Sequence, residues 1–152
     1  MPHTSLSTPA GIVFIQGTDE YITGIGFSEP CTPAGTTPVI ETAVKQLNEY
    51  FDGSRKEFDL PLKVEGSELQ VSVCDSLIKI PYGETVTYKK VAADIGNPRA
   101  IRAVATAIGR NPIAIVIPCH RVIGSDGKMR GFAGGIPFKE YLLEVEGWIP
   151  KR

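Results

Sequence analysis

A cysteine, a histidine and an arginine stand in direct succession at Cys119, His120 and Arg121. They follow an aliphatic run, residues 113–117, and a proline, Pro118. The run reads as a buried strand, and Pro118 ends it, because proline is poor in a strand interior and suits the first turn of a helix. Cys119 is then expected in the first turn of a short helical segment, facing backbone N–H groups. A thiol there becomes a nucleophile once a base or a helix N-terminus favours its thiolate. Side chains of neighbouring strand residues point to opposite faces, so a tight turn or a bridging water is needed for His120 to act as that base. A carboxylate orienting His120 would complete a relay. Glu140, Glu144 and Glu146 in the last helix are the candidates, and periodicity does not choose among them. The plainer reading of Cys119 is a buried, inert thiol.

The other cysteines carry less chemistry. Cys74 sits in an apolar helical stripe, and Cys31 lies in a loop with no base beside it. His3 falls in a terminus expected to fray. Two histidines and three scattered cysteines give no metal-ligand spacing, so neither metal nor cofactor is expected. An odd number of distant cysteines points to reduced thiols and a cytoplasmic location. The first residues lack a secretory pattern, and no apolar run is long enough to span a bilayer.

Charge is unevenly placed. Residues 1–64 hold four Lys/Arg against eight Asp/Glu, a balance of −4, whereas residues 77–139 hold ten against three, a balance of +7. The basic half includes Lys79, Lys89, Lys90, Arg99, Arg102, Arg110, Arg121, Lys128 and Arg130. Such a half suggests a polyanionic partner, or only a solvated basic surface.

The elements that must position these residues follow from pattern. "GIVFIQGTDEYITGIGFSE" reads as two strands joined at residues 17–20. Residues 31–38 form a loop. "VIETAVKQLNEYFDG" has helical spacing, with Ile40, Val44, Leu47 and Phe51 on one face. "EFDLPLKV" is a short extended segment. Together these make a small N-terminal α/β unit, residues 1–65. Residues 66–152 read as mostly helical: "SELQVSVCDSLIKI" carries Leu69, Val73, Leu77 and Ile80 on one stripe. Thr87 can cap "YKKVAADI", which ends at Gly96. Asn97 and Pro98 supply a cap and first-turn proline for "RAIRAVATAIG". The pair forms a candidate helix-turn-helix. The fold class is therefore α+β.

In the second helix of that pair, Ile101, Val104 and Ile108 should face the core. Arg99, Arg102, Ala103, Thr106 and Arg110 lie opposite. One long side chain among small ones suits close approach to a nucleic acid. An Ala-rich helix packed on another element is the alternative.

"IPCHRV", residues 117–122, resembles the signature of the O6-alkylguanine-DNA alkyltransferases, the methylated-DNA–protein-cysteine methyltransferase family. "LNEYFDGSRKEFDLPL", "IPYGETVTYKKVAADIGNPRAIRAV", "GRNPIAIVIPCHRVIGSDGKMRGFAGG" and "FKEYLLEVEG" resemble family segments in the family's order. The resemblance implies a ribonuclease H-like N-terminal unit and a helix-turn-helix behind it. It implies a monomer that flips O6-alkylguanine out of double-stranded DNA and moves the alkyl group irreversibly to its own cysteine. O4-alkylthymine stays open as a second substrate.

By position, the resemblance makes Cys119 the acceptor, His120 the base acting through water and Glu146 the acid that orients it. Asn111 links the helix-turn-helix to the active-site loop. Tyr88 helps extrude the nucleotide and protonate the departing guanine, and Arg102 fills the vacated stack. Ala103, Thr106 and Arg121 join Tyr88 and Arg102 as DNA contacts. Val122 offers a carbonyl to the flipped base, and Phe132, Ala133 and Gly134 in "RGFAGG" form a pocket wall. Three positions depart from the family: Cys74 stands where tryptophan is common, Leu69 where phenylalanine is usual and Phe132 where tyrosine is common. The zinc ligands some members carry in the N-terminal part are absent. A multiple-turnover thiol hydrolase or protease is one competing class. A silent DNA-binding sensor is the other, and an intact cysteine argues against it.

Overall fold

The computed structural model describes residues 1–28, 32–128 and 132–149. Three antiparallel strands open the chain: β1 His3–Thr8, β2 Gly11–Gly17 and β3 Ile22–Ser28, with β2 central. The terminus expected to fray is thus a strand, with His3 paired opposite Gln16. The Thr8 hydroxyl closes the first hairpin by accepting from the Ala10 and Gly11 amides. Alternation buries Val13 and Ile15 on one face of β2. Helix α1, Pro38–Phe51, packs there through Ile40, Ala43, Leu47 and Tyr50. Thr37 caps it, accepting from the Ile40 amide at 3.1 Å. The buried face is turned from the expected one, since Val44 and Phe51 are only partly buried.

The free edge of β3 is covered by two non-helical segments. Ile22 exchanges bonds with Pro61 and Lys63, and Ile25 with Pro112 and Ala114. The extended segment expected in "EFDLPLKV" therefore pairs through a single bridge, Leu62 to Ile22. In the same segment, the Asp59 backbone N–H and C=O are both bonded by the Gln46 side-chain amide, at 2.9 and 3.0 Å.

The C-terminal part contains α2 Glu68–Ile78, β4 Val86–Thr87, α3 Tyr88–Asp94, α4 Ile101–Gly109, β5 Val122–Ile123 and α5 Ile136–Val145, with a 3-10 turn at Cys119–Arg121. Together with the N-terminal sheet and helix, these make the mixed α+β fold expected. Thr87 caps α3 as expected, accepting from Lys90 N. Asn97 does not cap α4. Residues 97–100 make a turn closed by Ala100 N donating to Asn97 O, and the helix starts at Ile101 with no side-chain cap. Ile101 is 38 % exposed, not core-facing as its spacing implied; Val104, Ala107 and Ile108 are buried. One apolar cluster contains residues of both halves, from Val13 and Leu47 to Val104 and Leu142. No described helix is long and apolar enough to cross a membrane.

Candidate active site

Ile113, Ala114, Ile115 and Ile117 are buried and Val116 half-buried, as an aliphatic run should be, but they form a tight turn in place of a strand. Ile117 N donates to Ile113 O, and Val116 N to Ala114 O. Ile115 lies at φ +71°, a left-handed conformation that is costly for a β-branched side chain. Asn111 brackets the turn: its Nδ2 donates to Ile117 O at 2.7 Å, and its Oδ1 accepts from Ile113 N at 3.0 Å. One side chain just past α4 therefore sets the loop that delivers Cys119.

Cys119 opens the 3-10 turn after Pro118, as the proline suggested. The thiol is free and 7 % exposed. Burial pushes its pKa up to about 11, against the hydrogen bond from Asn111 and the charge of Lys139. In this resting state it is a thiol, and a base must take its proton.

That base is adjacent. His120 is fully buried, and its Nε2 donates to Glu146 Oε2 at 2.5 Å. Burial lowers the imidazole pKa, with Glu146 opposing and Arg121 and Lys139 assisting, so the ring is neutral at pH 7. With the proton on Nε2, Nδ1 keeps a lone pair, and it has no protein hydrogen-bond partner. A cleft of about 20 Å³, lined by Cys119, Asn111, Ala114, Phe27 and Phe132 among others, adjoins the thiol. That is room for about one water.

Glu146 caps α5 and is the carboxylate of the three that reaches His120. Burial raises its pKa, but the hydrogen bonds from His120 and Arg121 and the Arg121 charge outweigh that and hold it at about 2. Arg121 Nε and Nη2 donate to its two oxygens at 2.8 and 3.0 Å, and Nη1 donates to Ile80 O at 2.6 Å. Arg121 is therefore not placed as a DNA contact. Its side chain is buried, and its charge is committed to Glu146. Gly83, at φ +78°, donates its amide to Glu146 Oε1 at 3.1 Å.

Two members of the site escaped the sequence reading. Tyr50 comes from α1, and its hydroxyl donates to Glu146 Oε2 at 2.5 Å. Lys139, counted above only as one of the basic residues, is 1 % exposed and donates to Val122 O at 2.5 Å. Burial brings its pKa down to about 8. The Val122 carbonyl thus already accepts one bond, and a second lone pair is left for a base. Adjacent polar and apolar positions in "YF" and "FK" carried no signal for either residue.

Outside this cluster, a groove of about 660 Å³ runs along α4, lined by Tyr88, Arg102, Thr106, Phe132 and Ala133 among others. Phe132 and Ala133 also line the cleft at Cys119, so groove and cleft adjoin. Arg102, Ala103 and Thr106 are exposed. Gly134 has the Phe27 ring against it: a Cβ there would lie 2.7 Å from it. Cys74 is buried, and its sulfur accepts a 3.7 Å contact from Gln70 Nε2. Cys31, Met129, Arg130 and Gly131 lie outside the described residues. Among the described residues no group of three or more His, Cys, Asp or Glu could hold a metal ion.

A buried thiol followed by a Glu146-held histidine, in a cleft adjoining a groove along the exposed face of α4, is the arrangement of a cysteine nucleophile that acts on a large substrate. The sequence profile described as "6-O-methylguanine DNA methyltransferase, DNA binding domain" matches residues 68–148, and its "ribonuclease-like domain" companion matches residues 1–64. The methylated-DNA–protein-cysteine methyltransferase of Methanosarcina barkeri is 44% identical, covering 96% of this chain and 97% of that one. The Mycobacterium bovis protein of the same name is 43% identical over 95% and 91%. A crystal structure of Mycobacterium tuberculosis OGT in complex with DNA is 43% identical and superposes with a TM-score of 0.85, covering 95% of this chain and 91% of that one. The chain belongs to the methylated-DNA–protein-cysteine methyltransferase family.

Proposed function

We propose that this protein repairs O6-alkylguanine in double-stranded DNA by moving the alkyl group to Cys119 Sγ, once per molecule. The observation that carries the reading is the unpartnered Nδ1 of His120, the residue after the buried Cys119, with the Nε2 proton donated to Glu146. The Cys119 proton passes through water to His120 Nδ1. The thiolate attacks the alkyl carbon, an S–C bond forms and the C–O6 bond breaks. The guanine leaves as its anion and is reprotonated, with Tyr88 as the donor. The product thioether has no group beside it able to remove the alkyl, so turnover stops.

Access requires the base to leave the stack. Helices α3 and α4, joined through Gly96, act as a helix-turn-helix on the duplex, and Arg102 fills the gap left by the base. Val122 O, Phe132, Ala133 and Gly134 hold the flipped base, and O4-alkylthymine is the second substrate to try. The N-terminal sheet and α1 form the ribonuclease H-like unit, with the division near residue 65. The protein works as a monomer in the cytoplasm, without metal or cofactor.

The test is incubation with an O6-methylguanine duplex followed by mass analysis of tryptic peptides. The Cys119 peptide should gain one methyl group, the Cys31 and Cys74 peptides none, and transfer should saturate at one equivalent. Sustained turnover would refute the reading.

A further inference from the structure

The carboxylate of Glu146 receives donors from four residues in three separate parts of the chain: Tyr50, Gly83, and the adjacent His120 and Arg121. Three are expected of a structural knot. Arg121 and Gly83 fix the carboxylate to the segment after α2, and His120 is the base it serves. Tyr50 is different. It reaches the same oxygen as His120, Oε2, and each contact is 2.5 Å. Its Oη also lies 3.5 Å from His120 Nε2 itself.

The Tyr50 ring has no freedom to leave. It is fully buried in the last turn of α1, with Phe51 and Phe58 centroids at 5.5 and 5.4 Å and Tyr82 edge-on at 6.2 Å. A burial-driven rise in its pKa, reinforced by Glu146, keeps the phenol protonated and therefore a donor. Three donors share Oε2; Arg121 Nη2 is the longest at 3.0 Å, and the two at 2.5 Å compete most directly for its electron density. The phenol proton weakens Oε2 as an acceptor for the imidazole, and a weaker acceptor leaves His120 less basic.

We propose that Tyr50 is a positioning residue for alkyl transfer: its hydroxyl fixes the Glu146 carboxylate against His120 and limits that carboxylate's pull on the imidazole proton. A neutral His120 is the form whose Nδ1 can take the thiol proton, so the N-terminal unit takes part in the chemistry through one hydroxyl. The charged and titratable groups facing His120 and Glu146 are Tyr50 from α1, Tyr82 after α2, Arg121 and Cys119 in the 3-10 turn, and Lys139 on α5. This proposal rests on the alkyl-transfer reading above.

The experiment pairs transfer kinetics with nitrogen-15 NMR of histidine, which is simple here because the chain has only His3 and His120. Tyr50→Phe should slow methyl transfer about tenfold, the worth of one hydrogen bond to a charged group, with duplex affinity unchanged. The His120 titration and the acid limb of the rate–pH profile should both move to higher pH. In a Glu146→Gln background, Tyr50→Phe should add no further loss. Replacing Tyr50 with 3-fluorotyrosine, a stronger donor of the same shape, should move the titration the other way; this arm decides the matter if Tyr50→Phe does not fold. Unmoved titrations, or losses that multiply in the double variant, would overturn the proposal. A wild-type protein that transfers nothing would overturn the alkyl-transfer reading, while the His120 titration still judges the link to Tyr50.

Discussion

Lys139 Nζ lies 2.5 Å from the carbonyl oxygen of Val122, beneath the wall of the proposed base pocket. The lysine is buried, yet its charge is one of the influences that lower the Cys119 thiol pKa. Lys139→Met keeps the length and removes the charge. The thiol should then titrate above its present value of about 11, and transfer should slow. Stability should respond with a definite sign. The lysine pKa is about 8 folded against 10.5 ordinarily, so the unfolded chain binds more protons between those values. Stability therefore rises with pH across that window in the wild type, and Lys139→Met should abolish that rise. Denaturant melts across the window check it, and an unchanged slope would contradict the burial argument.

Acid should unfold the protein in two overlapping stages. His120 is buried neutral with a lowered pKa, so stability falls as pH drops below 6.5, where the unfolded histidine gains a proton that the folded one does not. Glu146, held at about 2 against an ordinary 4.5, contributes stability above 4.5 that is lost as pH falls through 2. The carboxylate share is on the order of 3 kcal/mol at neutral pH. Glu146→Gln should flatten the lower stage of a melting-temperature series against pH and spare the upper one. It should also leave Arg121 buried without its counter-charge, at a cost of about 3–5 kcal/mol. Duplex binding should stay near wild type while transfer slows.

Arg102→Ala separates a finger from a phosphate contact. Arg102 is the exposed long side chain among Ala103, Thr106 and Ala105 on α4. As the plug of a vacated stack, its loss should slow repair in a duplex far more than reaction with free O6-benzylguanine. Loss of one phosphate contact would instead weaken binding to all sequences and reduce the salt slope by about one unit. Equal losses on duplex, single strand and free base would place Arg102 in the fold.

Ile115 reverses a usual ranking. At φ +71° an alanine keeps the strain and loses the side chain, whereas a glycine loses the side chain but relieves the strain. The cost of deleting a buried isoleucine is about 2–5 kcal/mol, and the relief about 1–3 kcal/mol. Both variants should be destabilised, with Ile115→Gly the milder. Thermal melts of the pair decide; Ile115→Ala melting higher would mean that the turn relaxes without its strain.

Much of the site was readable because its chemistry is local. Pro118 before Cys119 announced the turn, and a histidine next in line announced a base. What escaped depends on contacts across the chain. Tyr50 shares a helical face with Ile40, Ala43 and Leu47, but spacing alone equally allowed the face through Val44 and Phe51. Arg121 and Lys139 entered a charge count, which does not distinguish a solvated cation from a buried one. Strand β1, "HTSLST", lacks apolar alternation and exists through its pairing with β2. The run at residues 113–117 looked like a strand because aliphatic composition reports burial; the turn comes from Asn111 gripping both of its ends.

The donors to Glu146 all precede it in the chain. During synthesis the carboxylate is therefore the last of the set to leave the ribosome. A chain stalled earlier holds an arginine and a histidine with nothing to gather around, and its thiol lacks an oriented base. In a protein that reacts once, the order of synthesis places the carboxylate that orients the base after every residue that grips it.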